Sequence, residues 1–288
     1  MRFLKLVLPC LLAVGCGGGG TTVIVTPVPP FIVFSTLRDG NEEIYRTDSV
    51  GKYVQRLSDD ASTDHQPAYS ADNSKIVFVS DRNGNDDVFT MNGDGSGLQR
   101  LTTDPDVDNC PRFNATGTKI VFQRGQSLVR EIWVMNANGS SPKRVTNNGF
   151  NDSEPGWTPD GRIVFTSTRS GMRQIYRMDS TGANVVQLTT DPAAECYQAD
   201  YKSDGSQIAF ILKRNGRARA HLMNPDGSGI VDRGHGGEEF WPRWSPDGSR
   251  LVVTAIASNN EDVYRMNPDG SGWTKLTKTA FVDGHGDW

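Results

Sequence analysis

Five carboxylates and one thiol stand at matched places along the chain, Asp64, Asp108, Asp152, Cys196, Glu239 and Asp283, each three residues ahead of the position that leads a short aromatic segment. If these places meet around one axis, they form an acidic mouth that attracts a cation, a divalent metal or a basic peptide. His65 and His285 follow one and two residues after their own carboxylates, and Glu154, Glu195 and Glu238 add charge. Oxygen and nitrogen donors in such a mouth could hold a metal that activates water, which describes a metal-assisted hydrolase or lyase acting on a polysaccharide or small substrate. The same carboxylates could instead cap backbone N–H groups of their own turn or of the next unit, and their repetition favours that structural role. Symmetry breaks at Cys196 and at Trp241, which shares a register with Gln66, Cys110, Glu154, Gln198 and His285. Trp241 and its neighbour Phe240 offer either a platform for a sugar or peptide, or packing between units.

The elements that must carry these residues are short strands. Ile32-Val33-Phe34, Ile76-Val77-Phe78, Ile120-Val121-Phe122, Ile163-Val164-Phe165, Ile208-Ala209-Phe210 and Leu251-Val252-Val253 recur at intervals of about 44 residues, and β-branched runs at that period point to propeller blades. Within each unit an aromatic segment comes first ("PAYS", "PRFN", "PGWT", "PRWS"), followed by a turn such as "TPDG" or "SPDG" and then the apolar strand. A third strand holds an aromatic at one fixed place, Tyr45, Phe89, Trp133, Tyr176, His221 and Tyr264, with histidine standing in for it in the fifth unit. A turn such as "NPDGSG" and a short fourth strand such as "LQRLTT" close the unit. Each unit therefore reads as a four-stranded antiparallel meander, and such sheets bury both faces by packing radially. The expected fold is all-β, a six-bladed β-propeller over 31–288. The first unit lacks its leading strand, and "DGHGDW" at 283–288 aligns with "DNCPRF" and "DSEPGW", so the last residues are expected to close the first blade.

The pattern of Trp244-Ser245-Pro246-Asp247-Gly248 and Tyr264-Arg265-Met266-Asn267-Pro268-Asp269-Gly270 resembles the repeat of TolB-type propellers, WD40-like PD40 repeats also found in the propeller parts of prolyl-oligopeptidase-like proteases. The resemblance implies a periplasmic protein that uses its propeller for protein contacts within a cell-envelope complex. TolB-type proteins also carry an N-terminal α/β domain, for which residues 17–30 provide no counterpart. The sequence has no G-x-S-x-G elbow of an attached hydrolase.

Residues 1–16 open with Arg2 and Lys5, continue through a leucine-rich run and end at Gly15-Cys16, which reads as a secretory leader with a lipidated Cys16. The glycine- and proline-rich stretch 17–30 reads as a tether. The protein is thus expected in the cell envelope, in the periplasm and lipid-anchored to the outer membrane if the cell has one. With 34 acidic against 30 basic residues, no nucleic-acid partner is expected. Arginines and lysines on the later hairpins (Arg124, Arg130, Arg169, Arg173, Lys213, Arg214, Arg217, Arg219) read as solvated edge residues or as contacts to an acidic polymer. The "NGDGSG" and "NPDGSG" turns resemble half a calcium loop but lack its closing glutamate, and hairpin geometry explains them. No cofactor is expected. A non-enzymatic binding or scaffold module with a protein or glycan partner accounts best for these features, with the metal-assisted enzyme as its rival.

Overall fold

The computed structural model describes residues 30–126, 129–257 and 259–288. The expected leader, Cys16 and the expected tether up to residue 29 lie outside the described residues. The chain forms six separate four-stranded antiparallel sheets, each a meander. Blade two, for example, runs Asp64–Tyr69, Lys75–Ser80, Asp87–Asn92 and Gln99–Arg100 from its innermost to its outermost strand.

Each apolar run is buried because its two faces meet different neighbours. Phe34, Phe78, Phe122, Phe165 and Phe210 are fully buried. Each lies directly opposite the fixed aromatic of the third strand, in the pairs Phe34↔Tyr45, Phe78↔Phe89, Phe122↔Trp133, Phe165↔Tyr176 and Phe210↔His221. His221 keeps the geometry, with ring centroids 5.8 Å from Phe210 against 5.9 Å for Phe165 and Tyr176. The alternate residues reach the next blade: Phe31, Val33 and Ile44 of blade one pack with Tyr69, Ile76, Phe78 and Met91 of blade two. Every core cluster of this kind joins neighbouring sheets, and each buried large side chain contributes about 1.5 to 3 kcal/mol.

Turns complete this packing. Gly227 has a φ of +87°, and a Cβ there would collide with the carbonyl oxygen of Leu188 on the preceding blade. Glycine at that turn is therefore required both by its dihedral and by the approach of the two blades.

Ring closure follows the two-ended scheme. Residues Asp283–Asp287 pair antiparallel with Phe31–Thr36, in the pairs Val33↔Asp287, Ser35↔Gly284 and Thr36↔Asp283. Trp288 is buried among Ile32, Phe34 and Tyr45 of blade one and Val252, Val263 and Leu276 of blade six. Trp288→Ala is expected to cost about 3 to 5 kcal/mol in thermal or denaturant unfolding, the range for truncating a buried aromatic. Deleting residues 283–288 should cost more, because strand pairing goes with the indole; an unchanged melting curve would contradict the closure.

Candidate functional site

The repeated carboxylates do not open onto a mouth. Asp64, Asp108, Asp152, Glu239 and Asp283 are fully buried, and most are held by an arginine at or just past the end of the second strand of the same blade. Both oxygens of Asp64 accept from Arg82 at 2.9 Å, those of Asp108 from Arg124 at 2.7 and 2.8 Å, and those of Asp152 from Arg169 at 2.9 Å. Asp283 pairs with Arg38 at 3.1 Å. Glu239 caps backbone instead, accepting from the N–H groups of Ala220 at 2.8 Å and His235 at 2.6 Å. Cys196 is fully buried in the cluster around Phe210 and Ile175, so its expected place at the mouth is also corrected. Cys110 and Cys196 are both free thiols. Burial pushes the Asp64 and Asp108 carboxyls upward despite their arginines.

The physical reason is that an unpaired carboxylate inside a blade is far costlier than a paired one. Metal ligation through this ring would have to displace the guanidinium groups. The same pairs correct the reading of the basic hairpins, since Arg124 and Arg169 are internal counter-ions, and Arg214 and Arg219 pair with Asp191 and Asp232.

A second polar repeat was hidden in the "LT" endings of the fourth strands. The hydroxyls of Ser58, Thr102, Thr146, Thr189 and Thr277 accept from the backbone N–H of Ile44, Val88, Ile132, Ile175 and Val263, at 2.9 to 3.0 Å. Four of them also donate to a buried carboxylate on the third strand, Glu43, Asp87, Glu131 and Asp262. Blade five has no such hydroxyl in place, and Glu239 of blade six reaches the Ala220 N–H instead.

The residues that do face the axis lie two positions further along. Each inner strand has a bulge there, as the register breaks at His65/Ala68, Asn109/Arg112, Ser153/Gly156, Tyr197/Asp200 and Phe240/Arg243 show. Gln66, Cys110, Glu154, Gln198, Trp241 and His285 each adopt a φ between 51° and 58° at this place. Left-handed backbone at a residue other than glycine costs of the order of 1 to 3 kcal/mol, so strain is concentrated on the ring. A chamber of about 210 Å³ is lined by Gln66, Cys110, Glu154 and Trp241 together with Asn109, Gln123, Arg130, Asn151, Ser153 and Arg173. Those four ring residues come from blades two, three, four and six, which only the central channel can bring together. Gln66 and Gln198 fix the ring by accepting from the backbone N–H of Cys110 at 2.8 Å and Trp241 at 2.9 Å. Burial pushes the Cys110 thiol up to about 12, so it is a wall and not a nucleophile at neutral pH.

His285 lies between His65 and Trp241, with ring centroids 6.4 Å apart for His65 and His285 and 5.2 Å for Trp241 and His285. Ser35 donates to Glu42 at 2.5 Å and lies 3.3 Å from Nδ1 of His285. The three residue types are those of a hydrolytic triad, but Ser35 is fully buried and its proton is committed to Glu42, so no substrate carbonyl reaches it. The imidazoles are driven apart. Burial lowers His285, and repulsion from His65 and Arg112 adds to that, against the pull of Glu42. Burial also opposes charge on His65, but Asp86 and Glu42 outweigh it and raise its pKa. The channel mouth is thus acidic and imidazole-bearing toward blades one and two, and carries Arg130 and Arg173 toward blades three and four.

Sequence reasoning had placed Glu154, Trp241 and His285 in one register, and the structure brings them onto the axis. It missed Glu42 and Asp86, whose only signal was their repeated place just before a third strand, and Asn109 and Asn151, second in one inner strand and just ahead of another.

Six meander blades closed by strand exchange between the two ends, with a polar axial chamber, define the class: a six-bladed β-propeller with its site on the axis. The family model "TolB beta propeller domain" matches residues 26–129 and 105–232, and the chain belongs to that family. It is 30% identical over 117 residues to Protein TolB homolog of Chlorobaculum tepidum, a match spanning 41% of this chain and 27% of that relative. The crystal structure of TolB from Acinetobacter baumannii superposes with a TM-score of 0.82 at 21% identity, covering 90% of this chain and 66% of that one. Oligogalacturonate lyase from Vibrio parahaemolyticus superposes with a TM-score of 0.61 at 15% identity, covering 86% and 74% respectively. At these identities the two structures show the shared fold.

Asp108→Asn, which leaves Arg124 buried without its main counter-ion, is expected to destabilise the fold by about 3 kcal/mol. Asp104→Asn, at the half-exposed partner of the same arginine, should cost under about 1 kcal/mol. Equal losses in denaturant unfolding would show that the buried pair has no special weight. In a histidine-resolved NMR titration, His65 should titrate above the ordinary 6.5 and His285 below it. The stability from His65 is fully present below its unfolded pKa and is lost as pH rises through its folded value; for His285, stability is lost as pH falls below about 6.5. Coincident midpoints would contradict this electrostatic picture.

Proposed function

We propose that the protein is a non-enzymatic binding module of the cell envelope, which presents the mouth of its channel and the surrounding loops to a protein or glycan partner. One observation carries this reading. The six blades repeat their packing positions closely, with phenylalanine in five blades at the buried place, whereas the six axial places carry Gln66, Cys110, Glu154, Gln198, Trp241 and His285. A scaffold that repeats its core and diversifies its axis is built to present an asymmetric surface to a ligand.

The loops at the same end support this. Leu37, Phe281 and Val282 are exposed on one side of the mouth, and Val129, Phe150 and Met172 on the other. Apolar loop tips around a polar centre fit a contact face for a partner. The similarity to TolB proteins supports an envelope location, and the lipidated Cys16 with its tether is part of the proposal.

A photo-crosslinking amino acid in place of Trp241, in the full chain with its leader, should capture a partner from intact cells. The same group in place of Asn138, in a turn at the far end of the blades, should not. Equal labelling from both positions, or none from the mouth, would overturn the reading.

A further inference from the structure

The channel chamber contains polar atoms that the fold leaves without partners. Nε of Arg130 and the Oδ1 atoms of Asn109 and Asn151 are buried and make no hydrogen bond, and all three residues line the same chamber. A buried polar atom left unpaired costs about 1 to 3 kcal/mol, so three in one cavity are a demand for a ligand that both donates and accepts.

Charge narrows the ligand further. Arg130 and Arg173 are matched by Glu154, which lines the chamber, and by Glu195, which pairs with Arg173 at 3.1 Å. Glu154 is in turn held by Thr166 at 2.9 Å. Two cations and two carboxylates leave no net charge to be neutralised, which argues against a phosphate or a free acid. Trp241 supplies the apolar wall.

We propose that this chamber holds one pyranose unit of an uncharged glycan. Each sugar hydroxyl both donates and accepts, so neighbouring hydroxyls satisfy the Asn109 and Asn151 oxygens and the Arg130 N–H together. The C–H face of the ring packs on Trp241. At about 210 Å³ the chamber has room for a single unit. This inference deepens the binding role proposed above and rests on it.

Saturation-transfer NMR and calorimetry on the full chain would use D-glucose, D-galactose, D-mannose and N-acetyl-D-glucosamine, with the matching uronic acids and triglycine as rivals. At least one uncharged sugar should bind, and its affinity should fall at least tenfold in Asn151→Ala and in Arg130→Gln, while Asn138→Ala binds as before. Thermal melts separate loss of the ligand contact from loss of fold in each variant. Binding to none of the uncharged sugars, tighter binding of a uronic acid or of triglycine, or undiminished affinity in both chamber variants would overturn the assignment. If the sugars fail while the crosslinker at Trp241 still captures a partner, the pyranose assignment falls and the binding role stands.

Discussion

The mouth end of four blades depends on buried hydrogen bonds that link a hydroxyl, a carboxylate and a guanidinium or ammonium group. In blade two, Thr102 accepts from the Val88 N–H and donates to Asp87, which in turn takes Arg100 at 2.5 Å. The loop leading to the next blade is thereby tied to the third strand of the blade it leaves. A neighbouring pair, Asp64 with Arg82, does the same for the opposite loop. Because every member is satisfied, the network stiffens the mouth end rather than weakening it. Blade five shows how strictly the demand applies, since a glutamate from the adjacent blade occupies the role that the missing threonine would have filled.

Such stiffness permits the strain on the axis. Six side chains other than glycine held in left-handed backbone would relax in a loose scaffold. Here proline or a paired strand follows each bulge, and the amides of Gln66, Gln123 and Gln198 bind the strained N–H groups of the neighbouring blade. These bonds join blade two to three, three to four and five to six at the point where the chamber lies.

The fold was open to reading because its causes are local and repeated. Ile-Val-Phe strands, proline–glycine turns and the alignment of Trp288 with Trp157 and Trp244 each leave a mark in the sequence. The site was harder for a specific reason. Alternation places Asp64 and Gln66 on one face of an ideal strand, and only the bulge between them and the following residues decides which one looks down the channel. The arginines were misread for a similar reason, since a charged residue beside a turn looks solvated until the carboxylate it answers, Asp108 for Arg124, is placed in space. The role of Thr102 and its equivalents depends on the N–H of a strand about fourteen residues earlier, which no short motif displays. Asn109 and Asn151 carry no sequence signal for binding at all; their significance is that the fold leaves them unanswered.

Closure of the ring by residues 283–287 also has a temporal meaning. Ser35 and His285, which meet where the two ends of the chain pair, are 250 positions apart. Contacts of such separation form late, because the entropy of closing so long a loop must first be met. A chain with five complete blades therefore already holds its core and the lining of the chamber, and only His285 beside Trp241 reports that the whole circuit has been made.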